Sequence, residues 1–153
     1  MIIEDKVYGL EEIKENFLIE LINSKPVQRL KGISQWGLPN GYHFKNGFSR
    51  YEHSIGTFIL LRKLNANFEE QIAGLIHDIS HTAFSHVVDW IIGDPTKEDY
   101  QDSIFEAFLK KSPIKDILNK YNFNYKKISK LENFFLLEKE APSLCADRID
   151  YCL

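Results

Sequence analysis

The segment 68–86 has the sequence FEEQIAGLIHDISHTAFSH, and it constrains both the fold and the chemistry of the chain. Residues 68–79 are apolar at most inward positions and predict a central, buried helix. Three histidines and an aspartate follow within ten residues: His77, Asp78, His81 and His86. An ionised carboxylate at the end of a buried helix is costly unless it is paired or binds a metal. The segment therefore predicts a helical core with a metal-binding end.

Two residues on other apolar helices extend this ligand set. His53 lies where a helix begins, in the segment 49–56 (SRYEHSIG), and Asp147 lies on an apolar helix near the end of the chain. Imidazole nitrogens and carboxylate oxygens together suit Mn, Fe, Zn, Co or Ni, and less well Mg. We expect one divalent metal ion to be held by four ligands: His53, His77, Asp78 and Asp147.

Each of these residues also has a simpler interpretation. A histidine beside apolar residues is more often a hydrogen-bonded core residue, and an aspartate on a helix is usually solvated or capping. The dipeptide His-Asp is common by chance. Only the combined pattern indicates a metal site.

The composition is that of an ordinary globular protein. The chain has 153 residues, of which 44% are apolar and 27% charged, enough for one domain with an apolar core. Residues 1–5 do not resemble a signal peptide, and no apolar stretch approaches the roughly 18 residues that span a bilayer. We expect a cytoplasmic protein without a membrane partner, in which Cys145 and Cys152 are reduced core thiols.

The charge argues against nucleic acid as the main partner, because the net charge is −3. One local exception is residues 110–130, which contain seven lysines and a single acid, Asp116. The simpler interpretation is a solvated face of two amphipathic helices. The alternative is a surface that attracts polyphosphate or RNA.

The remaining pattern is overwhelmingly helical. Residues 36–49 are rich in Gly, Pro and Asn and predict a loop or short hairpin, and residues 2–8 could form a short strand pair. Without repeats or linkers, residues 1–153 are expected to form one all-α domain. Helices are predicted at 10–23, 51–64, 68–79, 85–92, 97–110, 114–121, 125–137 and from Pro142 to the end.

These motifs resemble the HD superfamily of metal-dependent phosphohydrolases, whose ligand pattern is H…HD…D. Within it, the chain is most similar to the deoxynucleoside triphosphate triphosphohydrolases, and the resemblance runs from about residue 24 to 153. It implies an HD-domain helical bundle. The shared motifs are QRL-x-x-I-x-Q-x-G at 28–37, R-[FY]-E-H-S-[IL]-G at 50–56, HD-[IL]-x-H-x-x-F-S-H at 77–86 and D-[KR]-x-D-Y at 147–151.

The resemblance also implies roles for residues around the metal. His81 and His86 would line the phosphate side, and Asp89 matches an acid that works with a histidine in related enzymes. A nucleotide substrate is implied, and relatives form oligomers, so a homo-oligomer is expected. Substrate contacts are implied for four residues: Arg50, Arg148, Tyr151 and Gln35.

Simpler interpretations stay open for several of these residues. Arg50 could pair with Glu52 or Asp150, and Tyr151 could belong to the core. His81 and His86 could serve only as hydrogen-bond partners of the metal ligands.

Two departures from the family pattern affect the functional prediction. Related enzymes carry H-E-x-x-S, whereas residues 99–103 are DYQDS, with Asp99 at the histidine position. An acid there could exchange protons, but its ordinary pKa is about 4 rather than about 6.5. The family also continues D-Y-x-x-R-D, so the domain is expected to be short at its C-terminus.

Three functions are consistent with this pattern. The first is a nucleotide phosphohydrolase similar to the triphosphohydrolases. The second is a nucleotide monophosphatase or phosphodiesterase with the same metal ligands. The third is a catalytically silent HD module that binds a nucleotide or a partner protein, which Asp99 and the short C-terminus favour.

Overall fold

The computed structural model describes residues 1–38, 42, 47–92, 96, 100–140 and 142–153. The described elements are strands β1 (Ile2–Asp5) and β2 (Gly9–Glu12), helices α1 (Asn16–Ile22), α2 (Lys25–Arg29), α3 (Arg50–Lys63), α4 (Phe68–Ile76), α5 (Asp89–Ile92), α6 (Tyr100–Lys111), α7 (Pro113–Lys120), α8 (Tyr125–Ile128) and α9 (Ala146–Cys152), and 3-10 turns at Leu30–Gly32, Ser85–Val88 and Leu131–Asn133. The chain is mostly helical, as predicted. None of the described helices combines the length and the apolar character that crossing a membrane requires.

Helices α3 and α4 form the centre of the molecule. A reciprocal capping box starts α3: Ser49 Oγ accepts the amide of Glu52, and the Glu52 carboxylate accepts the amide of Ser49. Every residue from 71 to 81 is buried. The two helices approach closely at Gly74, where an added Cβ would lie 2.3 Å from Leu61 Cδ1. Further along, His77, the residue after α4, reaches His53 in the first turn of α3, with 3.3 Å between their Nε2 atoms.

The N-terminal strand pair exists and is longer than the sequence predicted. Strand β2 pairs antiparallel with β1, from Ile2 opposite Glu12 to Asp5 opposite Gly9. The helix predicted at 10–23 is therefore wrong over its first residues, and α1 begins only at Asn16. The hairpin turn explains the difference, because Asp5 Oδ1 accepts the amides of Val7 and Tyr8 and Gly9 adopts a φ of +80°.

The helix predicted at 125–137 is also wrong, because α8 ends at Ile128. The buried Glu70 of α4 supplies the physical reason. Its Oε1 accepts the amides of Leu136 and Leu137 at 2.7 and 3.2 Å. The Leu136 amide is thus satisfied by a side chain and needs no helical hydrogen bond, while the Leu137 amide is shared between Glu70 and the Phe134 carbonyl.

The structure also tests the predictions for the two cysteines and for the lysine-rich segment. Cys145 is buried, but Cys152 is exposed, so the prediction of two core thiols is wrong for Cys152. In the lysine-rich segment, Lys120 pairs with Glu20 and Lys127 with Glu69, which agrees with a solvated face at these two positions. The loop or hairpin predicted at 36–49 and the start of the helix predicted at 97 lie partly outside the described residues.

Helix α9 packs against α3 at a glycine. A Cβ added to Gly56 would lie 2.1 Å from Asp150 Oδ1, whereas one added to Gly32 would meet nothing within 4 Å. The Asp150 carboxylate also accepts from Nδ1 of His53 at 2.7 Å. Gly56 thus lets a carboxylate of α9 reach the first turns of α3.

Substituting Gly56→Ala should destabilise the protein by about 2 kcal/mol, because overpacking a close contact costs roughly 1–3 kcal/mol. Urea unfolding followed by circular dichroism measures this change. The matched control is Gly32→Ala, which should stay within about 0.5 kcal/mol of the wild type. Equal stability of the two variants would contradict the close approach of α9 to α3.

Candidate metal centre

A cavity of about 390 Å³ lies beside the start of α3, the residues that follow α4 and the start of α9. It brings together most of the residues that the sequence singled out, together with four that it did not. The lining residues are Gln35, Arg50, His77, Asp78, His81, His86, Gln101, Asp102, Leu131, Glu138, Asp147, Arg148 and Tyr151.

Three predicted ligands meet beside this cavity: His77 and Asp147 line it, and His53 is buried next to them. His53 and His77 face each other with 3.3 Å between their Nε2 atoms. Asp147 Oδ1 lies 2.7 Å from Nε2 of His53 and 3.5 Å from Nε2 of His77. One ligand atom from each residue lies within 4.8 Å of the others, so the three side chains could hold one ion.

The other ring nitrogens show that these residues fit a metal cation. Nδ1 of His77 faces the carbonyl oxygen of Gly74, and Nδ1 of His53 faces the Asp150 carboxylate, both at 2.7 Å. Each oxygen only accepts, so each Nδ1 carries a hydrogen and Nε2 of the neutral ring carries a lone pair. In that neutral state two lone pairs and a carboxylate oxygen converge, which a metal cation would stabilise; without an ion, a proton on His53 takes that place.

The pKa shifts of the cluster indicate the same requirement for positive charge. Burial opposes a charged imidazole, but the bonds to Asp147 and Asp150 outweigh it and raise the pKa of His53 to about 10. Burial also opposes a charged carboxylate, yet the bonds from His53 and His77 lower the pKa of Asp147. The site therefore holds its acid ionised, and a divalent ion can provide the compensating charge.

The fourth predicted ligand, Asp78, lies beside this cluster. Its Oδ1 is 3.4 Å from Nε2 of His77 and 3.1 Å from Nε2 of His81, and its Oδ2 accepts from Arg50 at 2.9 Å. Burial would raise the pKa of Asp78, but the cations around it hold that pKa well below its ordinary value. Arg50 thus pairs with Asp78, not with Glu52 or Asp150.

An arginine that the sequence analysis did not single out fixes the turn after α4. Nη2 of Arg29 donates to the carbonyls of Ile79 and His81, both at 2.8 Å. These carbonyls flank the turn that carries Asp78 and His81 towards the cavity. Arg29 belongs to the motif at 28–37, which was the only signal for its importance.

His81 and His86 form a pair above the metal ligands. Their rings are perpendicular, with centroids 4.8 Å apart. Neither Nδ1 has a hydrogen-bond partner among the described residues. Asp89 Oδ2 lies 3.7 Å from Nδ1 of His86, too far for a hydrogen bond, while its Oδ1 accepts the amide of Tyr100. Burial lowers the pKa of His81, which leaves a neutral ring beside the cavity.

The four residues implied as substrate contacts all line the cavity, but they differ in exposure and in hydrogen bonding. Arg50 and Gln35 are buried, whereas Tyr151 is 41% exposed and so is not a core residue. Nε of Arg148 donates to the Ser143 carbonyl at 3.0 Å, and its Nη2 donates to the Lys139 carbonyl. Asp99 lies outside the described residues.

Sequence analysis missed the role of Asp150, although it quoted the motif that contains this residue. Asp150 is 8% exposed and binds Nδ1 of a predicted ligand from 97 positions away. A second acid three residues after Asp147 on the same helix face was the available signal. Gln101 and Asp102 were also missed as cavity residues.

Comparison with known proteins gives relatives that the chain matches along its whole length. It is 49% identical to the uncharacterised protein YdhJ of Bacillus subtilis over 154 residues, covering 100% of this chain and 47% of YdhJ. It is 41% identical to the metal-dependent phosphohydrolase cns2 of Cordyceps militaris, covering 100% of this chain and 44% of cns2. The chain therefore spans less than half the length of these relatives.

A lower similarity connects the chain with human deoxynucleoside triphosphate triphosphohydrolase SAMHD1, at 31% identity over 144 residues, covering 78% of this chain and 22% of SAMHD1. A crystal structure of a hypothetical protein from Aquifex aeolicus superposes with a TM-score of 0.69 at 27% identity, covering 99% of this chain and 44% of that one. The HD domain family model matches residues 50–152, which include all four predicted ligands. The chain belongs to the HD domain family.

Proposed function

We propose that this chain is the metal-binding domain of a phosphohydrolase that acts on nucleotides. One observation carries the proposal: the buried His53 converges with His77 and Asp147, which line a cavity whose walls contain arginines and histidines. The donor set suits a divalent transition metal, and the cationic walls suit a phosphate. A relative of matching sequence is named a metal-dependent phosphohydrolase.

The chain's own residues would divide the work of phosphate hydrolysis. A bound divalent ion supplies charge stabilisation at a phosphoryl oxygen and acidifies water. Arg148 and the His81–His86 pair would bind the phosphate oxygens from the walls. Arg50 would act mainly by holding Asp78, because its guanidinium is buried against that carboxylate.

The substrate in this proposal is a nucleotide, and a deoxynucleoside triphosphate is the first candidate. The similarity to SAMHD1 supports that choice, and the exposed Tyr151 ring offers a surface for a base or sugar. A nucleotide monophosphate or a phosphodiester would use the same metal ligands. The cytoplasmic location, the homo-oligomer and the single domain over residues 1–153 stay predictions.

A catalytically silent HD module is the second candidate. The state of Arg148 favours it, because backbone carbonyls and Glu138 at 3.5 Å already engage this guanidinium. Such a module would bind a metal and a nucleotide without turnover.

The deciding experiment measures metal content by mass spectrometry and then assays nucleotides. The panel contains the four deoxynucleoside triphosphates, nucleoside monophosphates and a dinucleotide. Release of phosphate, pyrophosphate or triphosphate identifies both the activity and the bond that is cut. Bound metal without turnover would establish the silent module, and absence of stoichiometric metal would refute the metal centre.

The variant His77→Ala should lose both the metal and the activity, because it removes one of two facing imidazoles. The control is His86→Ala, which should keep the metal while its turnover falls by about 10²–10⁴-fold, the contribution typical of a proton-transfer or phosphate-binding side chain. Metal content and turnover are measured on the same preparations. Full metal content in His77→Ala would exclude it as a ligand.

The variant Arg148→Ala should raise KM for the preferred nucleotide about ten- to hundredfold, because a hydrogen bond to a charged group contributes about 1.5–3 kcal/mol. Its metal content should not change. Arg62→Ala is the charge-matched control, since Arg62 pairs with Glu11 and Glu15 and does not line the cavity. An equal KM in the two variants would remove Arg148 from the substrate contacts.

A further inference from the structure

Asp102 is a cavity carboxylate that is not one of the metal ligands. It lies in the first turn of α6, and its neighbour Gln101 is buried. Both residues line the cavity with the metal cluster. Asp102 is exposed as a residue, so its carboxylate can exchange protons with solvent between turnovers.

A chain of hydrogen bonds positions the Asp102 carboxylate. Gln101 Nε2 donates to Asp102 Oδ1 at 2.7 Å. Gln101 Oε1 in turn accepts from the hydroxyl of Ser80, which is buried two residues after Asp78. The orientation of the Asp102 carboxylate is thus linked to the turn that carries Asp78, and its second oxygen accepts no hydrogen bond among the described residues.

The charged groups around Asp102 separate it from the other cavity acids. Although the residue as a whole is exposed, partial desolvation of its carboxylate raises the pKa of Asp102, and the Glu138 and Asp78 carboxylates add to this effect, while His77 and His86 oppose it. The pKa values of Asp78 and Asp147 are shifted downward instead. Acids whose environments push their pKa values apart commonly take different roles in one site. The remaining charged or titratable groups that line the cavity are Arg50, His81, Arg148 and Tyr151.

We propose that Asp102 is a further catalytic residue, the general acid that protonates the leaving group; this inference rests on the proposed phosphohydrolase function. Water adds to phosphorus while the bond from phosphorus to the leaving-group oxygen breaks. That oxygen takes the proton of the Asp102 carboxyl group, and the water loses a proton to solvent. Asp102 then regains a proton from solvent, so the charges and protons balance over the cycle.

The test compares Asp102→Asn, Asp102→Glu and Glu106→Gln in the full chain loaded with metal. The substrate is the nucleotide that the wild type turns over fastest in a panel of four deoxynucleoside triphosphates and four nucleoside monophosphates. Asp102→Asn keeps the side-chain size and the oxygen that accepts from Gln101. It should lose about 10²–10⁴-fold in kcat with unchanged metal content. Glu106 is an exposed acid one turn further along α6, so Glu106→Gln is the matched control and should have full activity.

The pH profile distinguishes a general acid from a structural residue. A general acid must be protonated, so the kcat of the wild type should fall as pH rises through the pKa of Asp102. Asp102→Asn should lose this limb, and Asp102→Glu should keep it with part of the activity. An Asp102→Asn variant whose kcat is within threefold of the wild-type value, or whose kcat falls over the same pH range, would refute the role of Asp102. It would leave the proposed phosphohydrolase function untouched. A wild type that binds metal but hydrolyses nothing in the panel would overturn the proposed function and this inference with it.

Discussion

The structure depends on two imidazole rings that face each other across one carboxylate. His53, His77 and Asp147 come from α3, α4 and α9, and their ligand atoms lie within 4.8 Å of one another. Such proximity requires the three helices to approach closely, which small residues permit. Gly56 makes room for Asp150 beside α3, and Gly74 lets α4 approach Leu61. The close packing of the core helices is therefore also what brings the side chains of the metal centre together.

The sequence predicted which buried histidines and aspartates come together better than it predicted the ends of the helices. Histidines and aspartates on apolar helices are informative as a set, because the burial of several such polar groups together requires an explanation. Helix ends depend on contacts that a local pattern does not contain. The first residues of the helix predicted at 10–23 form strand β2 instead, because they pair with β1. The Glu70 carboxylate takes the place of a helical carbonyl as acceptor for the Leu136 amide.

The positioning residues could not be predicted for a related reason. Asp150 binds His53 across 97 positions, and Arg29 reaches the carbonyl of Ile79 across 50. No period in the sequence encodes such pairs, since each partner looks like an ordinary surface residue by itself. Ser80 and Gln101, which orient Asp102, belong to the same class. Their roles become visible only when the helices are assembled.

The four predicted ligands also differ in how far each would depend on a metal. Asp78 has the guanidinium of Arg50, His53 has Asp150, and His77 has the Gly74 carbonyl. Each of these partners lies on the protein side and orients its ligand whether or not an ion is bound. The carboxylate of Asp147 bonds only to the two imidazoles among the described side chains. Asp147 is thus the side chain that would depend most directly on an ion, whereas helix α9 itself is also held against α3 by the bond between Asp150 and His53.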